Sequence, residues 1–123
     1  MSAVTFLLVV LAGGVGACAR FWLDRGVQRA VDSWGDPAAA KLGILVVNVI
    51  GCFLAGAATQ LVPADLMPIV STGFLGGFTT FSTALVDVVT LWADGFRGRS
   101  LALALGTWVA SWGAALVGIT VAG

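Results

Sequence analysis

Four long hydrophobic stretches dominate the sequence, and each is close to the roughly 20 residues that an α-helix needs to cross the hydrocarbon core of a bilayer. They cover about residues 4–23, 42–62, 66–92 and 101–121. Hydrophobic residues make up 59% of the 123 residues and charged residues only 10%, a composition typical of integral membrane proteins. We therefore predict an all-α membrane protein with one domain over residues 1–123 and four transmembrane helices joined by short loops.

The residue types that the sequence lacks exclude several classes of function. There is no His and no Glu, and the two cysteines, Cys18 and Cys52, both lie in hydrophobic stretches. This leaves neither a metal-ligand cluster nor the disulfide framework of a small secreted protein. The formal net charge is zero and no long basic run occurs, so we expect no metalloenzyme, no redox chemistry and no nucleic-acid partner.

Small residues precede Cys18, as they do in the cleavage box before a lipidated cysteine. However, no positive segment precedes the hydrophobic stretch, and Arg20 follows Cys18 closely, which disfavours cleavage at this point. We expect Cys18 to remain in the first helix as a small buried residue.

The basic residues are distributed asymmetrically along the chain. All six lie in or beside the first and third loops, whereas the second loop and both terminal segments have none: Arg20, Arg25, Arg29, Lys41, Arg97 and Arg99. Because short loops rich in Lys and Arg stay on the cytoplasmic side, we expect the first and third loops inside the cell and both termini outside. Such a strong bias predicts insertion in one orientation only.

The third stretch contains the run Gly73–Thr83, with the sequence GFLGGFTTFST. We expect its three glycines to break the helix at mid-membrane, where a bare backbone group costs several kcal/mol unless it is satisfied. Glycine alone fits two interpretations equally: a close helix crossing, or a site for an ion. The hydroxyls that follow favour the site, because hydroxyls and unwound carbonyls together bind ions well; they belong to Thr79, Thr80, Ser82 and Thr83.

Other polar residues lie within the second and fourth stretches. Asn48 is in the middle of the second, and Thr107 and Ser111 lie one turn apart in the fourth. Each has a purely structural alternative: a helix-to-helix hydrogen bond worth about 1 kcal/mol for Asn48, and a bond to their own helix for the hydroxyls. Together with the electropositive edges of phenylalanine rings, these donors favour an anion path over a cation path.

Asp87 is an acid deep in the third stretch. An intramembrane carboxylate is either a functional group or a side chain that reaches the interface, here beside Arg97 or Arg20. The sequence leaves the two roles open.

Taken in order, four parts of the chain resemble the small bacterial fluoride channels of the Fluc (CrcB) family over essentially the whole length. Gly13–Phe21 is similar to GGxxGAxxRY, with Phe21 in place of Tyr; Gly43–Phe53 to GTLxVNxxGxF, with Ile44 in place of Thr; Gly73–Thr83 to GFxGGxTTFST; and Asp87 stands where the family usually has Glu. The third motif is the most specific, since nearly every position matches.

The resemblance implies an architecture as well as a function. Members of this family form antiparallel dimers of two four-helix subunits, whose broken third helices cross at the centre. A structural sodium ion, which is not transported, is held there by backbone carbonyls. Carried over to this sequence, those carbonyls belong to Gly76 and Thr79.

The resemblance also implies a fluoride pathway and a passive mechanism in the bacterial cell membrane. The pathway residues carry over to Asn48, Phe81, Ser82, Thr83, Thr107 and Ser111. Arg20 is expected near the cytoplasmic entrance, and Thr80 and Asp87 in supporting positions. A channel of this kind exports fluoride down its electrochemical gradient, so the protein is not expected to be an enzyme; the glycine run also lacks the Gly-Lys-Ser/Thr ending of a phosphate-binding loop.

One departure from the family pattern concerns Ala84, which stands where a second Phe is usual. Since the basic residues predict a single orientation, an antiparallel dimer would need a second, oppositely oriented homologue. The chain is therefore either a homodimeric channel subunit or one partner of a heterodimer with a degenerate pore. Two other classes remain: a small multidrug-type exporter, disfavoured because no acid precedes Asp24 in the first stretch, and a membrane scaffold, which leaves the hydroxyl cluster unexplained.

Overall fold

The computed structural model describes residues 2–35 and 41–123, and these ranges contain helices and loops but no β-strand. The helices are α1 (Ala3–Val31), followed by a 3₁₀ turn (Asp32–Trp34); α2 (Leu42–Leu61); α3, which joins a π-helical segment (Pro68–Leu75) to an α-helical turn (Gly76–Phe78); α4 (Ser82–Ala93); and α5 (Arg97–Ala122).

Within these described ranges, four helical segments are long and apolar enough to cross a membrane: Ala3–Trp34, Leu42–Leu61, Pro68–Ala93 and Arg97–Ala122. The third consists of α3 and α4 together. The prediction of an all-helical membrane protein with four spans is confirmed.

Helix α1 continues well into the polar segment that the sequence suggested as a loop. It begins at a Ser2 cap, whose hydroxyl oxygen accepts the Thr5 amide at 3.1 Å, and it ends only at Val31. Within the polar part, Gln28 Nε2 donates to Asp24 Oδ2 at 2.9 Å, a stabilising pair one turn apart. Hydrophobicity marks the part of a helix that lies in lipid, whereas backbone hydrogen bonding continues into water as long as the residues permit it.

The third span is broken, as the sequence predicts, but not at its glycines. Gly76 has helical backbone angles (φ −62°, ψ −37°), while Thr79 is extended (φ −85°, ψ 156°) and α4 begins only at Ser82. The expectation that glycines interrupt the helix is therefore wrong in position: the break consists of residues 79–81.

The glycines instead allow α1 and α3 to pack backbone against backbone. A Cβ on Gly77 would overlap the carbonyl oxygen of Gly13, and a Cβ on Gly16 would overlap the carbonyl oxygen of Phe74. Glycine at both helices removes these clashes, as in close helix crossings in membranes. Of the two interpretations that the sequence left open, close crossing accounts for these glycines.

The second close pair is α2 with α5, which pack most extensively of all the helices. A Cβ on Gly56 would overlap the carbonyl oxygen of Ala115, and one on Gly118 would overlap that of Phe53. Helix α4 joins this pair through α5. Small residues thus bring α2 and α5 together and position the face on which the break lies.

Much of the outer surface is hydrophobic, as expected for helices that face lipid. On α1, for example, Phe6 is 63% exposed and Trp22 69% exposed. The expectation of a buried Cys18 is wrong, because its side chain lies on the exposed surface of the same helix.

Candidate functional site

A groove of about 440 Å³ lies between α2, the break, α4 and α5, and opens to the outside of the chain. It brings together residues that the sequence singled out on three different spans: Asn48, Thr79, Thr80, Phe81, Thr107 and Ser111. Sequence reasoning alone could not show that these spans share one groove. That its residues bind fluoride stays a prediction.

Asn48 is bonded to the backbone of the break by both ends of its side-chain amide. Its Nδ2 donates to the carbonyl oxygen of Thr80 at 2.9 Å, and the Thr80 amide donates to its Oδ1 at 3.0 Å. Because each end has a defined partner, the orientation of the amide is fixed. The amide carries two N–H groups, so one remains for another acceptor.

This pairing changes the hydrogen bonding of the chain before the break. In a regular helix the Thr80 amide would donate to the carbonyl of Gly76, and the Thr83 amide to that of Thr79. Here the Thr80 amide goes to Asn48, and the Thr83 amide makes a long bond of 3.4 Å to the Thr80 hydroxyl. The Gly76 and Thr79 carbonyls therefore lose their helical donors, and at membrane depth they require another partner.

The threonine hydroxyls of the break differ in what they can offer an anion. Thr79 donates its proton back to the Leu75 carbonyl at 2.9 Å, and Thr80 donates to the Thr83 hydroxyl at 3.2 Å. Both protons are thus committed to the protein. The Thr83 hydroxyl acts as acceptor in that contact, so its own proton can reach a further acceptor.

Phe81 is the most prominent aromatic side chain of the groove, with 78% of its surface exposed. Ala84 and Leu85 line the same groove one turn further along α4. Since Ala84 has no ring, the groove has a single phenylalanine where the family pattern has two. Leu85 lies beside the gap but offers no electropositive ring edge.

On α5 the groove is lined by two tryptophans that sequence reasoning missed. Trp108 and Trp112 follow Thr107 and Ser111 in the sequence, and their rings meet edge to face with centroids 6.1 Å apart. The same spacing of four residues in both pairs was a usable signal, because it puts all four side chains on adjoining faces of one helix. Cys52, one turn after Asn48, also lines the groove.

Three other residues singled out from the sequence are not among the described lining of the groove: Arg20, Gly76 and Thr83. Arg20 is on α1, which contributes nothing to the described lining. Gly76 and Thr83 adjoin the break but are not among the described lining residues. Ser82 is the first residue of α4, and its side chain is outside what the structure describes.

Asp87 has a partner that the sequence did not suggest. Its Oδ1 lies 3.6 Å from the Lys41 ammonium, whereas Arg97 lies over the ring of Trp92 at 5.1 Å. The partner of Asp87 in the structure is therefore Lys41 and not the expected Arg97 or Arg20, and whether Asp87 is a functional acid or a side chain that reaches the interface stays a prediction. Lys41 directly precedes α2, and the packing of α2 against α4 brings the two charges together.

Comparison with known proteins gives consistent matches. Residues 7–119 match the family model described as CrcB-like protein, Camphor Resistance (CrcB). Similar proteins named Fluoride-specific ion channel FluC come from Paracoccus denitrificans (strain Pd 1222), 37% identical over 95% of this chain and 93% of the relative, and from Ruegeria sp. (strain TM1040), 41% identical over 79% and 77%. Fluoride-specific ion channel FluC 1 from Leifsonia xyli subsp. xyli (strain CTCB07) is 37% identical over 100% and 90%.

Proposed function

Because this chain belongs to the CrcB-like protein family, we propose that it is a subunit of a fluoride-selective channel that exports fluoride passively from the bacterial cytoplasm. It is a multi-pass membrane protein with a channel's role and not an enzyme's. The observation that carries the proposal is the groove, where Asn48 meets the broken span beside Phe81. Family membership favours this function over a multidrug-type exporter or a scaffold.

Fluoride leaving water needs hydrogen-bond donors in place of its hydration shell. The remaining N–H of Asn48 and the Thr83 hydroxyl are two such donors, and the exposed edge of Phe81 is electropositive. Thr107 and Ser111 continue the polar lining on α5. We assign Ser82 to the same pathway on the family motif.

Export requires no energy source beyond the ion gradient. In an acidic medium, fluoride enters the cell as the neutral weak acid. It is then trapped as the anion, because the pH inside the cell is higher. An inside-negative potential then drives the anion outward with about 2.3 kcal/mol per 100 mV. In this scheme the first and third loops are cytoplasmic and Arg20 attracts the anion near the entrance.

The chain's own residues fit a structural sodium ion at the break. The Gly76 and Thr79 carbonyls lack their helical donors, because the Thr80 amide donates to Asn48 and the Thr83 amide donates to the Thr80 hydroxyl. Carbonyl oxygens are ligands suited to a hard cation. When bound, the ion would supply fixed positive charge near the anion path without moving through it. A second subunit in an antiparallel dimer would bring the matching pair of carbonyls.

A second candidate function is the partner subunit of a heterodimeric channel. Two observations favour it: all six basic residues lie at the first and third loops, and Ala84 leaves one aromatic position of the groove without a ring. To test it, the chain is expressed alone, purified and reconstituted in liposomes for fluoride efflux measurements. Fast efflux from the purified homodimer would contradict an obligatory partner.

Replacement of Phe81 by Ile tests the channel function itself. The ring is largely exposed in the subunit, so its loss leaves the packing of the chain intact while removing the electropositive edge. We expect fluoride efflux to be abolished. The matched control is Phe6→Ile, since Phe6 is 63% exposed on the outer surface of α1 and its replacement should leave efflux unchanged. Equal efflux from both variants would contradict the assigned pathway.

A further inference from the structure

We propose that Asn48 is a positioning residue for the carbonyls of the break, in addition to any contact with fluoride. Its side-chain amide takes the Thr80 amide that would otherwise return to the Gly76 carbonyl. The Gly76 carbonyl is thereby kept out of helical hydrogen bonding. The inference rests on the proposed function only in naming sodium as the ion that those carbonyls bind.

The two hydrogen bonds between Asn48 and Thr80 involve the donor and the acceptor of one backbone residue. The side-chain amide has the same donor and acceptor pair as a peptide group, so it binds Thr80 much as a neighbouring β-strand would. A single hydrogen bond would tether the two segments. The bond that Oδ1 accepts is the one that keeps the Thr80 amide from the Gly76 carbonyl, and the bond that Nδ2 donates aligns the side chain with the Thr80 backbone.

A glycine in α2 allows this helix to approach the break closely enough for Asn48 to reach it. Gly51, one turn after Asn48, is buried, and a Cβ there would overlap the methyl group of Thr79. Residues three apart share one helix face, so this face meets Thr79 and Thr80 together. Gly51 supplies the close approach and Asn48 supplies the hydrogen bonds.

The consequence is that one side chain links two sites. Its remaining N–H is left for a further acceptor, while its committed oxygen keeps the Thr80 amide away from the Gly76 carbonyl. Removal of the amide leaves the partly buried Thr80 amide without its acceptor. Since a buried donor strongly requires a partner, Thr80 then returns to the Gly76 carbonyl and the helix extends by one bond.

Two substitutions separate these roles. Asn48→Leu removes both hydrogen bonds at similar volume. Asn48→Asp keeps the oxygen that accepts the Thr80 amide but has no N–H for fluoride or for the Thr80 carbonyl. We expect fluoride efflux to be lost in both variants. The position of the Thr80 amide should change only in the Leu variant.

The direct readout is the carbonyl ¹³C chemical shift of Gly76 by NMR. The sequence contains two Gly-Gly pairs, Gly13–Gly14 and Gly76–Gly77. Protein labelled with ¹³C-carbonyl and ¹⁵N glycine therefore gives the Gly76 carbonyl as the test signal and the Gly13 carbonyl as an internal control.

We expect the Gly76 signal of the Leu variant to move to the hydrogen-bonded position and the Gly13 signal to stay in place. Both signals of the Asp variant should match those of the unsubstituted protein. An unmoved Gly76 signal in a folded Leu variant would overturn the inference. If the Leu variant does not fold, a Gly76 signal of the Asp variant at the hydrogen-bonded position would overturn the inference.

Sodium supplies the second readout. The thermal unfolding temperature of the purified protein is followed against sodium concentration, with N-methylglucamine as the replacement cation. The sodium midpoint should rise roughly tenfold in the Leu variant, as expected from a lost interaction with a charged group, and should not rise in the Asp variant. An unchanged midpoint in the Leu variant counts against the inference. Absence of fluoride efflux from the unsubstituted protein alone would count against a homodimeric channel instead, and leaves the NMR result standing.

Discussion

Gly77 of α3 lies against the backbone of Gly13 in α1, so closely that a Cβ would overlap the carbonyl group and the Cα of Gly13. Neither residue has a side chain, so the contact is backbone against backbone. It fixes how far apart the first span and the broken span can be.

Gly77→Ala should destabilise the protein by about 1–3 kcal/mol, because the added methyl group must push two backbones apart. The matched control is Gly14→Ala, where nothing lies within 4 Å of the added Cβ. Both substitutions gain the same helix propensity, so the difference isolates the contact. Unfolding temperatures of purified protein in one detergent provide the measurement, and equal values for the two variants would contradict the close packing.

This contact also shows what the sequence could and could not predict. The glycine run correctly predicted a break in the third span, since span length and glycine content are local properties. The position of the break depends on Asn48, which lies 32 residues away from Thr80. Because the glycines are held helical by their packing against α1, local propensity did not decide where the chain unwinds.

A buried hydroxyl connects the last two helices. Ser100 is 1% exposed, and its Oγ donates to the Val88 carbonyl oxygen at 2.7 Å. We expect Ser100→Ala to destabilise the protein by about 1 kcal/mol, because an interhelical hydrogen bond is lost. Thr120→Ala is the control: its exposed hydroxyl donates to Leu116 of its own helix, and its loss should cost little. Chemical denaturation of both variants would decide, and an equal cost would exclude a role for Ser100 in docking α4 on α5.

Ala84→Phe should raise fluoride efflux several-fold, equivalent to about 1 kcal/mol, by restoring a second ring edge in the groove. Ala84 lines the groove, so the new ring has space to enter it. Ala84→Leu adds bulk without an electropositive edge and should not raise efflux. Liposome efflux of the three proteins gives the comparison; a decrease with Phe as large as that with Leu would mean that bulk alone matters at this position.

The Lys41–Asp87 pair should be energetically coupled. Both side chains are mostly buried, with 27% exposure for Lys41 and 14% for Asp87. Removal of either charge therefore leaves the other charge partly buried and without its partner, which is destabilising. We expect Lys41→Gln and Asp87→Asn each to destabilise by about 1–2 kcal/mol, and the double variant by about 0.5–1 kcal/mol less than their sum. Asp65→Asn, in the exposed second loop, should combine additively with Lys41→Gln. Additivity of the Lys41 and Asp87 substitutions would show that the contact contributes nothing to stability.

For the ion pair and the groove, the sequence indicated single residues but not which residues they meet. Asn48, Phe81 and Thr107 could be selected from the sequence because polar or aromatic residues in unusual membrane contexts are recognisable one at a time. Which charge would meet Asp87 depended on how α2 packs on α4, and Arg97 was the wrong choice although it is nearer in the sequence. Trp108 was missed because an aromatic residue is ordinary in a hydrophobic span, and only its place next to Thr107 indicated that it borders the groove.

The extensive packing of α2 against α5 has a consequence for how the protein is made. The end of α5 at Ala122 is synthesised 61 residues after the end of α2 at Leu61, which at about 5–20 residues per second is a delay of roughly 3–12 s. During that interval Gly56 has no helix to pack against, and the polar Asn48 has only the newly inserted break as its partner. We therefore expect the nascent chain to acquire the Asn48–Thr80 hydrogen bonds before its principal helix pair can close, so that α5 completes the groove last.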